Sequence, residues 1–174
     1  MATIPSNFNF PTSKQIPDHA IMDFYNKQAY LGNQYVYNSG IDSLGDNAEH
    51  PFVYLSNPAG NTVSLFCFYR KFISFVTTNY DYFRIYSNPT GVSGGTAKTP
   101  ANCRFASGNA SSALVLLSPS TVSNGTLIKI TIANENTSPD PGIFIIDPGQ
   151  SMLITIASDG ISTNGLAEIS WYEL

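Results

Sequence analysis

Short runs of β-branched and aromatic residues, cut at intervals by Asn, Pro, Gly and Ser clusters, leave this chain little choice but to fold as sheet. The breakers are Ser56-Asn57-Pro58-Ala59-Gly60-Asn61, Ser87-Asn88-Pro89-Thr90-Gly91, Ser123-Asn124-Gly125-Thr126, Asp147-Pro148-Gly149-Gln150 and Thr163-Asn164-Gly165. Proline pre-sets φ and a following glycine accepts φ > 0, so these clusters are turns with a mechanism. Between them the sequence predicts strands at 34–38, 52–55, 62–69, 72–77, 82–86, 113–117, 126–133, 142–146, 151–157 and 166–173. Ile128, Ile130 and Ile132 alternate with Lys129 and Thr131, while Met152, Ile154 and Ile156 alternate with Ser151 and Thr155. A period of two puts each apolar set on one face, and that face is expected to be buried. Ala167, Ile169 and Trp171 should likewise point inward, with Glu168, Ser170 and Glu173 toward water. Residues 143–146 are apolar on both sides, as in a central strand or one covered by a neighbouring subunit.

Two weak internal repeats accompany this pattern. Residues 54–60 resemble 85–91, and 89–96 resemble 119–126. The copies cover loops and do not continue along the chain, so they read as similar corners joining successive strands, not as a solenoid. Many short strands with such corners predict an all-β fold: an antiparallel two-sheet sandwich of the jelly-roll type, with an extended N-terminal arm. The sandwich is expected over 51–174 and the arm over 1–50, where prolines, both histidines and scattered aromatics show no sustained alternation. The one helix candidate is 18–25, after Pro17. The expected core unites Trp171, Ile169, Ile130, Ile132, Ile154 and Ile156.

At 174 residues the chain can bury one sizeable core without metal or disulfide staples. Charged residues make up only 11 %, so Ser, Thr, Asn, Gly and Tyr must cover much of the surface, a palette suited to sheet faces and subunit contacts. Net charge is −4 and no basic run occurs, which argues against a nucleic-acid partner. No apolar stretch approaches the roughly 20 residues of a membrane-spanning helix. The N-terminal residues lack the basic start and apolar run of a signal peptide, so synthesis inside the cell is expected.

Cys67 and Cys103 are too few for a disulfide framework. Cys67, inside Leu65-Phe66-Cys67-Phe68-Tyr69, reads as a small buried hydrophobe, with a Cys67–Cys103 bridge as the alternative. Catalysis has little to work with. His19 and His50 lie 31 residues apart without a Cys or carboxylate at ligand spacing, and no Gly-x-Ser-x-Gly elbow is present. Asp140, Asp147 and Asp159 fall near turns, where Asp usually bonds its own backbone. No Asp-x-Asp-x-Asp calcium loop occurs. The sequence therefore assigns no catalytic, cofactor or metal site.

Aromatic residues carry the remaining signal. Tyr80, Tyr82 and Tyr86 suit a subunit contact or a sugar-stacking platform. In the arm, Phe8, Phe10, Ile16, Ile21, Met22, Phe24 and Tyr25 need a surface to cover them and are the expected capsid or subunit interface.

From Phe52 onward a series of motifs follows in order: Ser56-Asn57-Pro58-Ala59-Gly60, Phe83-Arg84-Ile85-Tyr86-Ser87-Asn88-Pro89-Thr90, Val92-Ser93-Gly94-Gly95-Thr96, Val122-Ser123-Asn124-Gly125-Thr126, Ile146-Asp147-Pro148-Gly149-Gln150 and a terminal Ile169-Ser170-Trp171-Tyr172-Glu173-Leu174. This order resembles the small virion structural proteins of tailed bacteriophages, which decorate the capsid or form head fibres. The resemblance implies a β-sandwich virion component, commonly a homotrimer, without catalytic residues. It would be made in the host bacterial cytoplasm and carried on the capsid exterior, with the major capsid protein or another virion protein as partner. A non-enzymatic decoration, or cement, protein is the leading expectation. The alternative is a head- or tail-fibre module recognising host-surface glycans. A shell-forming capsid protein would want a basic arm, and residues 1–50 hold only Lys14 and Lys27.

Overall fold

The computed structural model describes residues 24, 26–44, 48–75, 80–133, 137–160 and 163–174. Among the described residues the chain forms twelve strands: β1 (Gln34–Asn38), β2 (Asp42–Leu44), β3 (His50–Ser56), β4 (Leu65–Ser74), β5 (Asp81–Ser87), β6 (Thr96–Lys98), β7 (Ala101–Asn102), β8 (Leu114–Leu117), β9 (Thr126–Ala133), β10 (Thr137–Ile146), β11 (Ser151–Ser158) and β12 (Thr163–Glu173). Sheet A runs β10-β4-β12-β1-β7, with β2 also on β12, and sheet B runs β6-β8-β3-β11-β5-β9. Eight strands (β1, β3, β4, β5, β9, β10, β11 and β12) carry the architecture. In chain order, sheet A interleaves the first, eighth, third and sixth of them, and sheet B the second, seventh, fourth and fifth. That is the strand order of a jelly roll.

The repeats explain how the corners close. β3 and β5 flank β11, and each ends in a Ser-Asn-Pro corner at the same end of the sandwich. The Asn57 amide donates to the Gln150 carbonyl at 3.0 Å, and the Asn88 amide donates to the Ser151 carbonyl at 2.9 Å. Two copies of one motif thus clasp the start of β11 from both sides. Asn57 is fully buried, and its Nδ2 donates to the carbonyls of Val63 and Ile146 at 2.8 and 2.9 Å. In the second repeat the copies face each other, bridging Thr90 to Ser123 and Ser93 to Ser120. Gly91, at φ +66°, is required there because a Cβ would collide with Val122.

The core lies between the sheets. Phe72 of sheet A stacks on Phe83 of sheet B with centroids 4.7 Å apart, and Trp171 is fully buried beside Tyr35. Ile154, Ile156, Ala167 and Ile169 point inward as expected. Gly165 lets β12 approach sheet B, since a Cβ there would meet Ile156 and Phe83. The two cysteines are unbridged.

Several expectations need correction. Residues 65–74 form one strand with no break at Arg70-Lys71. Arg70 is buried in the core, its guanidinium 4.1 Å from the Phe144 ring centroid. A cation over an aromatic face recovers part of its desolvation cost. Among the described residues, 143–146 lie on an edge strand, not a central one, because β10 pairs there only with β4. Glu173 turns toward the sandwich end, accepting hydrogen bonds from Ser111 Oγ at 2.6 Å, the Ser112 amide and Trp171 Nε1. The sandwich also begins before residue 51: β1 and β2 are strands of sheet A, and Tyr35 and Tyr37 belong to the core. A short helical stretch at 26–31 precedes β1, and the helix expected at 18–25 lies outside the described residues except for Phe24.

The largest correction concerns β9. The expected alternation is present with its faces reversed. Thr131 opposes Phe83 and Ala133 opposes Asp81, all on the core side, so Ile130 and Ile132 point outward opposite Arg84 and Tyr82. They are 48 % and 55 % exposed. A bulge opposite Ile85 and Tyr86 sets this register, and a shift of one residue exchanges the faces of an entire strand.

Candidate functional site

Two surface features stand out, and they meet along β9. The first is the outer face of sheet B. On β5, Phe83 and Ile85 point into the core, so Tyr82, Arg84 and Tyr86 share the opposite face. Tyr86 opposes Leu153 of β11, which in turn opposes Tyr54 of β3, placing two tyrosines on either side of a fully buried leucine. Arg84 opposes Thr155 in the next row.

Glu49, just before β3, ties these rows together. Its Oε1 accepts from Tyr86 OH at 2.8 Å and from Thr155 Oγ1 at 2.5 Å, and its Oε2 accepts from Arg84 Nη1 at 2.9 Å. Arg84 also stands over the Tyr82 ring, 5.7 Å from its centroid. Burial, and then the bonded Glu49 carboxylate, raise the Tyr86 phenol above its usual pKa, so it remains a neutral donor at physiological pH.

Of the three tyrosines singled out in the sequence, Tyr82 and Tyr86 thus share a face. Tyr80 sits before β5, held through its backbone: its amide donates to Asp159 Oδ1 at 2.8 Å, and its carbonyl accepts from the Asp159 amide. Sequence reasoning missed Glu49, Arg84 and Tyr54. The strict alternation of residues 82–86 was the available signal for Arg84.

The second feature is an apolar edge where β9 and β10 end the two sheets. Ile128, Ile130 and Ile132 on β9 and Ile143 and Ile145 on β10 are all about half exposed. Between the strands opens a cleft of about 350 Å³, walled by Ile128, Ile143, Phe144, Ile145, Ile146 and Met152, with Ser87, Asn88, Gln150 and Ser151 among its polar lining.

The other sequence candidates divide. Phe24 packs edge-on against the chain's own Tyr172, centroids 5.3 Å apart, and Tyr172 stacks on Phe66 and Phe68. Phe8, Phe10, Ile16, Ile21, Met22 and Tyr25 lie outside the described residues, as does His19. His50 pairs with Ile156 in the β3–β11 ladder. Asp147 accepts from Ser64 Oγ at 2.6 Å and Asp159 Oδ1 from the Tyr80 amide, so each ties its turn to a segment 83 or 79 residues away and not to its own backbone. The side chain of Asp140 is outside the described set. Among the described residues no group of three His, Cys, Asp or Glu side chains could hold a metal ion, and no helix is long and apolar enough to cross a membrane.

No protein-family model matches the chain, and a search of curated proteins finds no match.

Proposed function

We propose that the chain is a non-enzymatic structural protein of a bacteriophage virion, a decoration protein that binds the outer surface of the head and works by adhesion. The observation that carries this reading is the isoleucine edge. Five isoleucines on the two edge strands are half exposed, and three of them, Ile128, Ile143 and Ile145, line one cleft, the kind of apolar surface that marks an interface. The jelly-roll order and the resemblance of the motif series to small virion proteins support the same reading.

Adhesion needs no tuned side chain. Covering an isoleucine contributes roughly 1.5–3 kcal/mol for full burial, and less for a half-exposed one, before ordering costs are subtracted. Several such contacts, closed into a homotrimer, make an avid unit. Each trimer offers its lattice contact three times, and avidity then holds it on the major capsid protein. Residues 1–23, with Phe8, Phe10, Ile16, Ile21 and Met22, supply that contact. Bridging neighbouring capsomers stabilises the shell by mass action, since the protein binds only the assembled lattice.

Sedimentation velocity on the full chain, followed by co-sedimentation with heads lacking it, tests the reading. A trimer that rebinds heads and raises their thermal resistance is the expected result. A strict monomer that leaves heads unaltered overturns it.

A further inference from the structure

We infer that the outer face of sheet B, centred on Glu49 and Arg84 and bordered by Tyr54, Tyr82 and Tyr86, is a binding face for a neutral saccharide. The inference goes beyond the adhesive role and does not rest on the isoleucine edge.

A pyranose ring presents an apolar C–H face and a rim of hydroxyls. A site for it needs partly exposed aromatic surface beside donors and acceptors held in fixed positions. Sheet B supplies both. Tyr54 and Tyr86 flank Leu153 at ladder spacing, and neither ring is fully buried. Rigid aromatic area of this kind binds at small entropic cost because a tyrosine has few rotatable bonds. Next to it, the Glu49 carboxylate is fixed by Tyr86, Thr155 and Arg84, so the acceptor site left on Oε2 already has its direction. Arg84 spends one nitrogen on Glu49 and holds its Cζ 5.7 Å from the Tyr82 ring centroid, which leaves other guanidinium donors for a ligand.

Charge decides the ligand class. The arginine and glutamate on this face cancel in a 2.9 Å ion pair. A uronic or sialic acid would set its carboxylate against Glu49, and a cationic peptide would compete for Glu49 only by displacing Arg84. A neutral, polyhydroxylated ligand adds hydrogen bonds to the pair without breaking it. Partly exposed pairs of this kind contribute little to stability, so altering the node should not unfold the protein.

Saturation-transfer NMR on the full chain, with neutral oligosaccharides (malto-, cello- and chito-oligomers) and an oligogalacturonate, tests the inference. At least one neutral oligomer should show transfer at about 10 mM or below, with amide shifts confined to β3, β5 and β11. Tyr54→Ala and Arg84→Gln should each weaken binding about tenfold, a loss of about 1.4 kcal/mol. Tyr86→Phe, which keeps the ring but frees Glu49, should weaken it less while preserving the fold. No transfer from any neutral oligomer, binding unmoved by all three substitutions, shifts mapping to another surface, or stronger binding of the oligogalacturonate would each overturn it.

Discussion

Ile130 stands directly across the β5–β9 ladder from Arg84, on the outer side of sheet B. One residue further along each strand, Thr131 and Phe83 face each other on the core side, where Thr131 Oγ1 is buried without a hydrogen-bond partner among the described residues. An edge strand that turns its isoleucines out and a threonine in gives up burial within its own chain. The arrangement becomes favourable when something covers the outer face.

Ile130 and Ile154 therefore have different roles despite similar surroundings in sequence. Ile154→Ala removes a fully buried side chain and should cost about 2–5 kcal/mol in chemical denaturation. Ile130→Ser should change the stability of the dilute, unassociated chain by no more than about 0.5 kcal/mol while shifting sedimentation toward the monomer. A large loss of stability for Ile130→Ser in dilute protein would place it in the core after all.

Asp81 makes stability depend on pH in an unusual direction. It is fully buried, and its Oδ2 accepts from Ser74 Oγ at 2.8 Å. Burial raises its pKa above the ordinary 3.8; hydrogen bonds from Ser74, Ser158 and the Asn164 backbone oppose the rise, and nearby Asp159 adds to it. The folded chain then holds this proton to higher pH than the unfolded one. This site's contribution to stability falls as pH climbs from the ordinary value through the folded pKa, then levels off. Asp81→Asn keeps an acceptor for Ser74 and removes the charge. Urea midpoints should rise at pH 7 relative to the parent chain and gain less at pH 4, and an equal gain at both would refute the assignment.

The cysteines should separate by reactivity. Burial pushes the Cys67 thiol up to about 12, and Cys103, half-buried after β7, is raised less. The thiolate is the reactive form, so iodoacetamide should label Cys103 first in folded protein. Denaturant alone should expose Cys67. Mass spectrometry would show one adduct, then two, and a need for reductant to reach two would reveal a bridge.

Local patterns made most strands legible, and the residues that escaped are those defined by distant partners. β1 and β9 follow from β-branched and aromatic runs ended by breakers, signals contained within a few residues. Arg70-Lys71 resembled a break because a charge inside an apolar run suggests solvent, yet Arg70 finds Phe144 across the sheet. Alternation gives the period of β9 but not its face, which the bulge against β5 decides. Glu49 escaped for the same reason: its partners lie 35, 37 and 106 residues away in sequence. Nothing beside it in the chain marks it.

Truncation from the N-terminus should separate the fold from attachment. Deleting residues 1–50 removes β1, which pairs with β12 along Gln34 to Asn38 and places Tyr35 and Tyr37 in the core. Tyr35 stacks beside Trp171 at 6.1 Å, and its hydroxyl donates to the Ala110 carbonyl at 3.2 Å. Losing two buried aromatic side chains at about 3–5 kcal/mol each approaches the whole stability of a typical domain, about 5–15 kcal/mol. The 51–174 fragment should therefore show no cooperative urea transition. Deleting only residues 1–23 leaves every described strand in place, together with the Phe24–Tyr172 contact, and a cooperative transition is expected. The same variant should fail to rebind heads that lack the protein, since it has lost Phe8, Phe10, Ile16, Ile21 and Met22. Cooperative folding of 51–174 would show that β1 is dispensable, and undiminished attachment of the shorter deletion would move the lattice contact onto the sandwich itself.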